Sequence, residues 1–360
     1  MTYRVRRRRL VCAIATAALV GGIPAASVNA ATADNEGTRN PPKTKFDPTE
    51  LRKGKTQAAY VDRKMLHDGK KKLKLNVPHD VWDAYHLKRG YLIETDDPKT
   101  GWGVIYYRVG PKGKVTKLRR FPKGVWSVHI DSGGRKVAIE TESFSSSGIT
   151  VFNAFTNKTI RRKKIGKHDV LNYVKGRVLL TRGVDRSKLS WYRPRANTTR
   201  KIGSVAGWAR YADPGINVIG LGAGPGGSCY DVRRFKAPRE RLWRFCSKKG
   251  IPNGIQFSPN GKYMLTTVSV HDRPKLDTVV IRRVKNGSVV RKFKARMFSG
   301  SVWENGHTFV VEAAAHKKAA RVRCTVGGKC RRVSRLVKGS SDFGALDKLD
   351  SLFLDRRLLT

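Results

Sequence analysis

Acidic residues are scarce in this chain: 27 Asp+Glu stand against 75 Lys+Arg among 360 residues, a formal net charge of +48. That shortage excludes a balanced surface. A pI near 10.8 implies attraction to polyanions such as nucleic acid, anionic envelope polymers or acidic lipid headgroups, without choosing among them. Helical periodicity is missing as well, since no stretch of a dozen residues outside the C-terminal tail carries an apolar stripe at helical spacing. Hydrolase, zinc-protease and calcium signatures are also missing: there is no G-x-S-x-G, no H-E-x-x-H and no EF-hand loop. Gly220-Leu-Gly-Ala-Gly-Pro-Gly-Gly227 superficially resembles a dinucleotide loop. It leads into the strand-like Ser228-Cys-Tyr-Asp-Val, whereas such a loop must open a helix whose N-terminus receives the pyrophosphate. What the chain does contain, 39% hydrophobic and 9% aromatic residues, is enough to build a core and excludes wholesale disorder.

A long apolar run occurs once, from Leu10 to about Ala26, behind arginines 4, 6, 7, 8 and 9 and ahead of Val28-Asn29-Ala30. This order predicts a signal peptide over 1–30 with cleavage after Ala30. Gly21, Gly22 and Pro24 interrupt the run, which makes it marginal for a membrane anchor. Cleavage removes five arginines and no acid, leaving +43 on a secreted or envelope-associated protein with no transmembrane span. Residues 31–56, polar and punctuated by proline, read as a flexible linker.

Export leaves four cysteines beyond Cys12, and an oxidising compartment favours disulfides. Of three possible pairings, spacing favours Cys229–Cys246, opposite each other across a hairpin turning at Ala237-Pro238, and Cys324–Cys330, across the Gly327-Gly328 turn. A zinc site is the rival, but neither pair is a C-x-x-C and no histidine sits at ligand spacing beside them. No metal and no cofactor are expected.

A short apolar strand recurs along the body. Its anchors Ile93, Ile139, Leu180, Ile219, Leu265 and Val311 are spaced 46, 41, 39, 46 and 46 residues apart. Each has an apolar strand before it and two strands after it, the last one basic. Four short strands per 40–45 residues is the period of a β-propeller blade. Phe257-Ser-Pro-Asn-Gly-Lys-Tyr-Met-Leu265 resembles the hairpin of bacterial TolB-type and WD-like propellers, and Ile130-Asp-Ser-Gly-Gly-Arg-Lys-Val-Ala138 is a degenerate copy. The resemblance covers about 57–338 and implies an all-β propeller fold of four-stranded blades, taken as one domain over 57–360. Family members bind partner proteins, act as scaffolds or sit beside enzymatic domains, so it implies no particular activity. Six units fit between about 78 and 338. Strands at 58–77 joined to Leu352-Phe-Leu-Asp would make a composite seventh blade, so seven blades are favoured over six, with 340–360 partly tail and partly closing strand.

Two candidate surfaces follow. The basic last strands, with Lys117, Arg119, Arg120, Arg161, Arg162, Arg241, Arg244, Arg291, Lys292, Arg331 and Arg332, are predicted to form a rim whose outer edges are unpaired. Positive charge there protects edges from aggregation and also suits adhesion to anionic polymers. The second surface gathers loop residues at one face: His79, Asp80, Glu94, Asp96, Glu140, Glu142, His168, Asp169, His271, Asp272 and Glu312. The tryptophans beginning the first strands (Trp82, Trp126, Trp208, Trp303) are expected to pack between blades. The expected function is an exported, monomeric, non-enzymatic binding or scaffold module for a protein partner or an anionic envelope polymer. Sequence-specific nucleic-acid binding is not expected, because no nucleic-acid motif accompanies the charge. The alternative is a glycan lyase or hydrolase with its site at the channel mouth.

Overall fold

In the computed structural model the described residues run from 41 to 353, omitting 57, 63, 70, 101–102, 123, 144–145, 167, 183–185, 207, 213–216, 225–226, 235–239, 248–251, 269–276, 347 and 350–351. The predicted signal peptide and the first part of the predicted linker lie outside them. The described strands fall into seven sheets.

Sheet 1 consists of Val81–His86, Tyr91–Asp96, Val104–Val109 and Val115–Phe121. Sheet 2 holds Ser127–Ile130, Lys136–Ser143, Ser146–Asn153 and Thr159–Gly166, and sheet 3 holds His168–Val174, Arg177–Arg182, Arg186–Arg193 and Thr198–Ala206. Sheet 4 comprises Trp208–Ala212, Asn217–Gly224, Gly227–Arg234 and Arg241–Ser247. Sheet 5 comprises Pro252–Phe257, Tyr263–Val268, Asp277–Arg283 and Val289–Ala295, and sheet 6 begins with Met297–Asn305, Thr308–Ala315, Lys318–Thr325 and Cys330–Arg332. Within these, consecutive strands pair antiparallel, and all six anchors lie in second strands. Those strands are apolar on both faces because both are covered: Thr308–Ala315 is buried throughout.

The hairpin motif has a local cause. Ser258 Oγ accepts the Tyr263 amide at 2.9 Å and donates to Asn260 Oδ1 at 2.7 Å. Gly261 adopts φ +65° and its amide meets the Ser258 carbonyl at 2.8 Å. In the degenerate copy Asp131 takes the serine's place, its Oδ1 accepting the amides of Arg135 and Lys136, both at 2.9 Å. A side chain on Gly134 would lie 2.5 Å from the Lys88 amide nitrogen of sheet 1, so this turn also fixes how closely two sheets approach.

Sheet 7 joins the two ends of the domain. Leu352–Phe353 pairs with Ala59–Asp62, which continues into Met65–Asp68 and Lys71–Lys74. One apolar cluster runs from Ala59, Val61, Leu66 and Leu75 into Ala84, Ile93 and Tyr107 of sheet 1. Ala58 packs with Val302, Val310 and Val333 of sheet 6. Glu304, fully buried, accepts the Thr56 hydroxyl at 2.5 Å and the Ala58 amide at 3.1 Å. Similar clusters join sheets 1 and 2, 2 and 3, 4 and 5, and 5 and 6.

The linker expectation needs correction in its second half. Lys43–Lys45 adds a parallel fifth strand to sheet 5 against Val289–Ala295, with Phe46 and Leu51 packed on the core of sheets 5 and 6. Lys53 then bridges Arg332. Phe46 and Leu51 supply the apolar area that holds this otherwise polar segment down. The tail contributes the short helix Asp342–Leu346, whose Ala345 and Leu346 are buried against Ala314 and Ala319.

Candidate functional site

In each sheet the start of the first strand lies beside the end of the second: Val81 opposite Thr95, Ser127 opposite Glu140, His168 opposite Arg182. These opening ends hold the predicted acidic and histidine set. The opposite ends carry the turns between strands one and two and between strands three and four. Neighbouring sheets present the same ends to the same side: the Lys88 amide meets the Gly134 carbonyl at 2.8 Å, and Asn260 Nδ2 meets the Gly306 carbonyl at 3.4 Å.

At the opening ends Glu94, Glu140 and Glu312 occupy the same register position, one residue past the anchor of sheets 1, 2 and 6, and all three are buried. Glu94 accepts the hydroxyl of Tyr106 at 2.9 Å and that of Tyr85 at 3.3 Å. Glu140 accepts Ser127 Oγ at 2.6 Å and the Val170 amide of sheet 3 at 3.3 Å. Glu312 accepts Ser299 Oγ at 2.8 Å and lies 3.5 Å from the buried Arg321 guanidinium. Burial of a carboxylate is costly unless donors replace its water, and here scaffold donors do so. Their work is to tie second strands to first and third strands and, at Glu140, to the next sheet. His129 Nε2 also lies 3.1 Å from Ser127 Oγ. The serine therefore stands between histidine and glutamate, whereas a nucleophilic triad needs the histidine in the middle.

His79, Asp96, His168 and Asp169 are half-buried and Asp80 is exposed at these ends. The side chain of Glu142, and His271 and Asp272 altogether, lie outside the described residues. Among the described residues no group of three His, Cys, Asp or Glu is close enough to hold a metal ion. Two of the tryptophans depart from expectation: Trp82 and Trp126 are 36% and 53% exposed, while Trp303 is buried with Nε1 3.4 Å from the Gln256 carbonyl. Trp82 is turned out because it is the extra residue of a bulge between Val81 and Asp83. Trp208's side chain lies outside the described residues.

Much of the basic set is engaged in holding sheets together. Each fourth strand of sheets 1–5 carries an extra, apolar residue (Leu118, Ile160, Ile202, Leu242 and Val290), sheet 2 having a second at Ile165, and in sheets 1, 2, 4 and 5 the residue after the first of these reaches to the next sheet. Arg119 donates to the Asn157 carbonyl and lies 4.7 Å over the Phe152 ring. Arg161 donates to the Pro194 carbonyl at 3.2 Å, and Arg291 to the Val326 carbonyl at 3.3 Å. In sheet 4 the position belongs to Trp243, whose Nε1 donates to the Val284 carbonyl at 2.7 Å, and in sheet 3 to Gly203, which has no side chain to reach across. Burial and the nearby charge of Arg162 lower the pKa of Arg119.

Arg120 pairs with buried Asp97, and Arg244 with Asp231 at 2.7 Å, with Arg241 Nη1 3.9 Å from the same carboxylate. Burial works against both acids. Hydrogen bonds from Arg120, the Lys99 amide and Thr100 outweigh it at Asp97, and those from Arg244 and Arg233 at Asp231, so both carboxyls lie below the ordinary range. The unpaired edges expected on the rim need correction for sheets 5 and 6: Lys292 is paired with Lys43, and Arg332 meets Lys53, because the segment before sheet 7 runs along those edges. Lys117, Arg162 and Arg331 remain exposed.

The exposed charge missed by the strand-based pattern lies on the turn ends. Arg89, Lys112, Lys158, Arg177, Arg195 and Lys285 are all exposed there. Their signal in the sequence was a Lys or Arg beside Gly, Pro or Asn in turns. Both cysteine pairs are disulfides joining third and fourth strands at matched register positions. The turn at Ala237-Pro238 lies outside the described residues.

No family model matches the chain, and no curated protein does. Among solved structures it is similar to a functionally unknown protein from Desulfotomaculum acetoxidans, with a TM-score of 0.53 and 11% identity over 78% of this chain and 95% of that one. It is also similar to TolB from Acinetobacter baumannii, with a TM-score of 0.45 and 12% identity over 73% and 63% of the two chains. Hsv2 from Kluyvelomyces marxianus gives 0.44 and 12% over 69% and 73%. At 11% identity the likeness to the Desulfotomaculum acetoxidans protein is one of fold alone. Among the described residues no helix is long and apolar enough to cross a membrane.

Proposed function

We propose that this chain is an exported, closed seven-bladed propeller that serves as a monomeric, non-enzymatic binding module for an anionic polymer of the cell envelope. One observation carries the reading. With residues 1–30 removed, at least 43 cations have no carboxylate of their own, and among the described residues the turn ends expose six cations, Arg89, Lys112, Lys158, Arg177, Arg195 and Lys285, on successive sheets. A surface of that kind concentrates polyanions and binds them with strong salt dependence. The signal peptide predicted over 1–30 and the two disulfides support export, and the pairing of Leu352–Phe353 with Ala59–Asp62 supports ring closure.

The test is sedimentation of the purified protein with isolated envelope polymer across a salt series. Binding should be retained at low salt and released by several hundred millimolar. Equal binding at all salt concentrations, or none at low salt, would sink the electrostatic reading.

A protein partner is favoured separately by the exposure of Trp82 and Trp126 on adjacent sheets at the other end, since exposed tryptophans are enriched where proteins meet. Replacing both with Ser should leave polymer binding unchanged and abolish crosslinking to any partner captured through that end.

A further inference from the structure

The turn ends of sheets 2 and 3 enclose a cleft of about 270 Å³ lined by Lys136, Tyr173, Lys175, Arg177, Arg193 and Arg195. Five of these side chains are cationic, none of the cleft's lining residues is acidic, and none of the five makes an ion pair among the described residues. They come from three separate segments: the second strand of sheet 2, the Lys175-Gly176 turn, and the turn from Arg193 to Ala196. Five like charges around one hollow repel one another, and an anion in the hollow relieves that repulsion.

The walls are fixed before any ligand arrives. Arg161 of sheet 2 holds the Pro194 carbonyl at 3.2 Å, and the Lys175 amide lies 3.4 Å from Ser132 Oγ. Gly176 adopts φ +72°, the left-handed conformation this turn requires, and the Lys136 ammonium lies beside it. Tyr173 forms a buried aromatic wall. Asp131, whose charge reaches Tyr173, caps its own turn by accepting the Arg135 and Lys136 amides.

Resting on the polymer-binding reading above, we infer that this cleft is a specific subsite for a phosphodiester group of a polyol-phosphate polymer. Donors line the hollow from three segments of two sheets. A tetrahedral phosphate offers oxygens to several such donors at once, whereas a planar carboxylate is met along one edge by a single arginine fork. The cleft is slightly smaller than the ~300–1,000 Å³ of ordinary small-molecule pockets, which suits one charged group and its neighbouring polyol rather than a whole enclosed ligand.

The experiment is calorimetric titration of the full-length protein with a synthetic glycerol-phosphate oligomer. Wild type is compared with Arg177→Gln/Arg195→Gln and with Lys112→Gln/Lys285→Gln, which removes the same charge from other turn ends. Both variants change exposed turn residues, and matched thermal unfolding verifies their folding. The cleft variant should lose at least tenfold in affinity and the control less than threefold. Equal losses in the two variants would overturn the subsite while leaving the basic-surface reading intact. No binding by wild type at low salt would overturn that reading itself. Displacement by inorganic phosphate at equal phosphate concentration would make free phosphate the ligand, and equal or tighter binding of duplex DNA or of a polyuronate would reject the polyol-phosphate assignment.

Discussion

Arginine does two kinds of work in this protein, and the difference is set one residue at a time. Arg119, Arg161 and Arg291 follow a bulged apolar residue and reach backbone carbonyls of the next sheet, 38, 33 and 35 residues away. A charged donor to a half-buried carbonyl is worth about 1.5–3 kcal/mol, and the stacking of Arg119 on Phe152 adds about 0.5–1. Arg119→Ala should therefore cost about 2 kcal/mol in urea unfolding, whereas Arg162→Ala, exposed on the same type of strand, should cost less than about 0.5. Comparable losses at both positions would remove the distinction. Asp97 and Asp231 supply a pH dependence. Their folded pKa values lie below the unfolded value of about 3.9, so in that window the unfolded chain binds more protons. The stabilisation is complete above pH 4 and is lost as pH falls through the lowered folded values. Tm should drop steeply below pH 4, and Asp97→Asn should flatten that slope while lowering Tm at neutral pH.

Single elements carry their own consequences. Lys43–Lys45 covers the edge of sheet 5: the Phe46 amide meets the Lys294 carbonyl at 3.0 Å and the Lys292 amide meets the Pro42 carbonyl at 3.1 Å. Thr44→Pro adds a ring to this strand and removes the hydroxyl 3.2 Å from the Arg291 guanidinium. Amide exchange of Phe46 and Lys292 should accelerate, with sheets 1–3 unchanged. The Cys229–Cys246 disulfide closes a separation of 17 residues, Cys324–Cys330 one of 6. By loop entropy the first contributes about 3 kcal/mol and the second about 2, so the Ser/Ser replacement at 229/246 should be the more destabilising in urea. The strands themselves were legible in the sequence. Their apolar triplets recur at blade spacing, and the Ser-Pro-Asn-Gly and Asp-Ser-Gly-Gly turns encode their own geometry. The segment at 43–53 was not legible: its lysines and prolines match a linker, and only Phe46 and Leu51 hint at the surface it covers.

At the scale of the whole molecule, sheet 7 pairs a strand from the C-terminal region with strands that precede sheet 1. Arg321 of sheet 6 lies 4.7 Å over the Tyr60 ring of sheet 7, and Tyr60 stacks on His67 at 4.5 Å. The tail adds Leu346, 2% exposed in a cluster with Ala314 and Ala319. Leu346→Ala should cost about 2–5 kcal/mol and lower the Tm of the single cooperative transition. A transition that splits in two instead would show that the tail and the body unfold separately. The glutamates of the opening ends show the limit of reading sites from sequence. Glu94, Glu140 and Glu312 looked like a binding set because they recur after the anchors, and that same recurrence buries them at one register position against scaffold donors.

The sequence by itself determined the all-β class, the anchor strands, the chemistry of the turns and the pairing of the cysteines, because each rests on neighbours within one hairpin. Only the tertiary structure decided what the scarcity of acid means. Which cations clasp a carbonyl more than thirty residues away, which lie under the segment before sheet 7, and which gather around the cleft between sheets 2 and 3 depends on how sheets pack side by side. Sheet-to-sheet packing obeys shape and apolar area rather than local propensity, so a charge excess visible in composition acquires its location only in the folded chain.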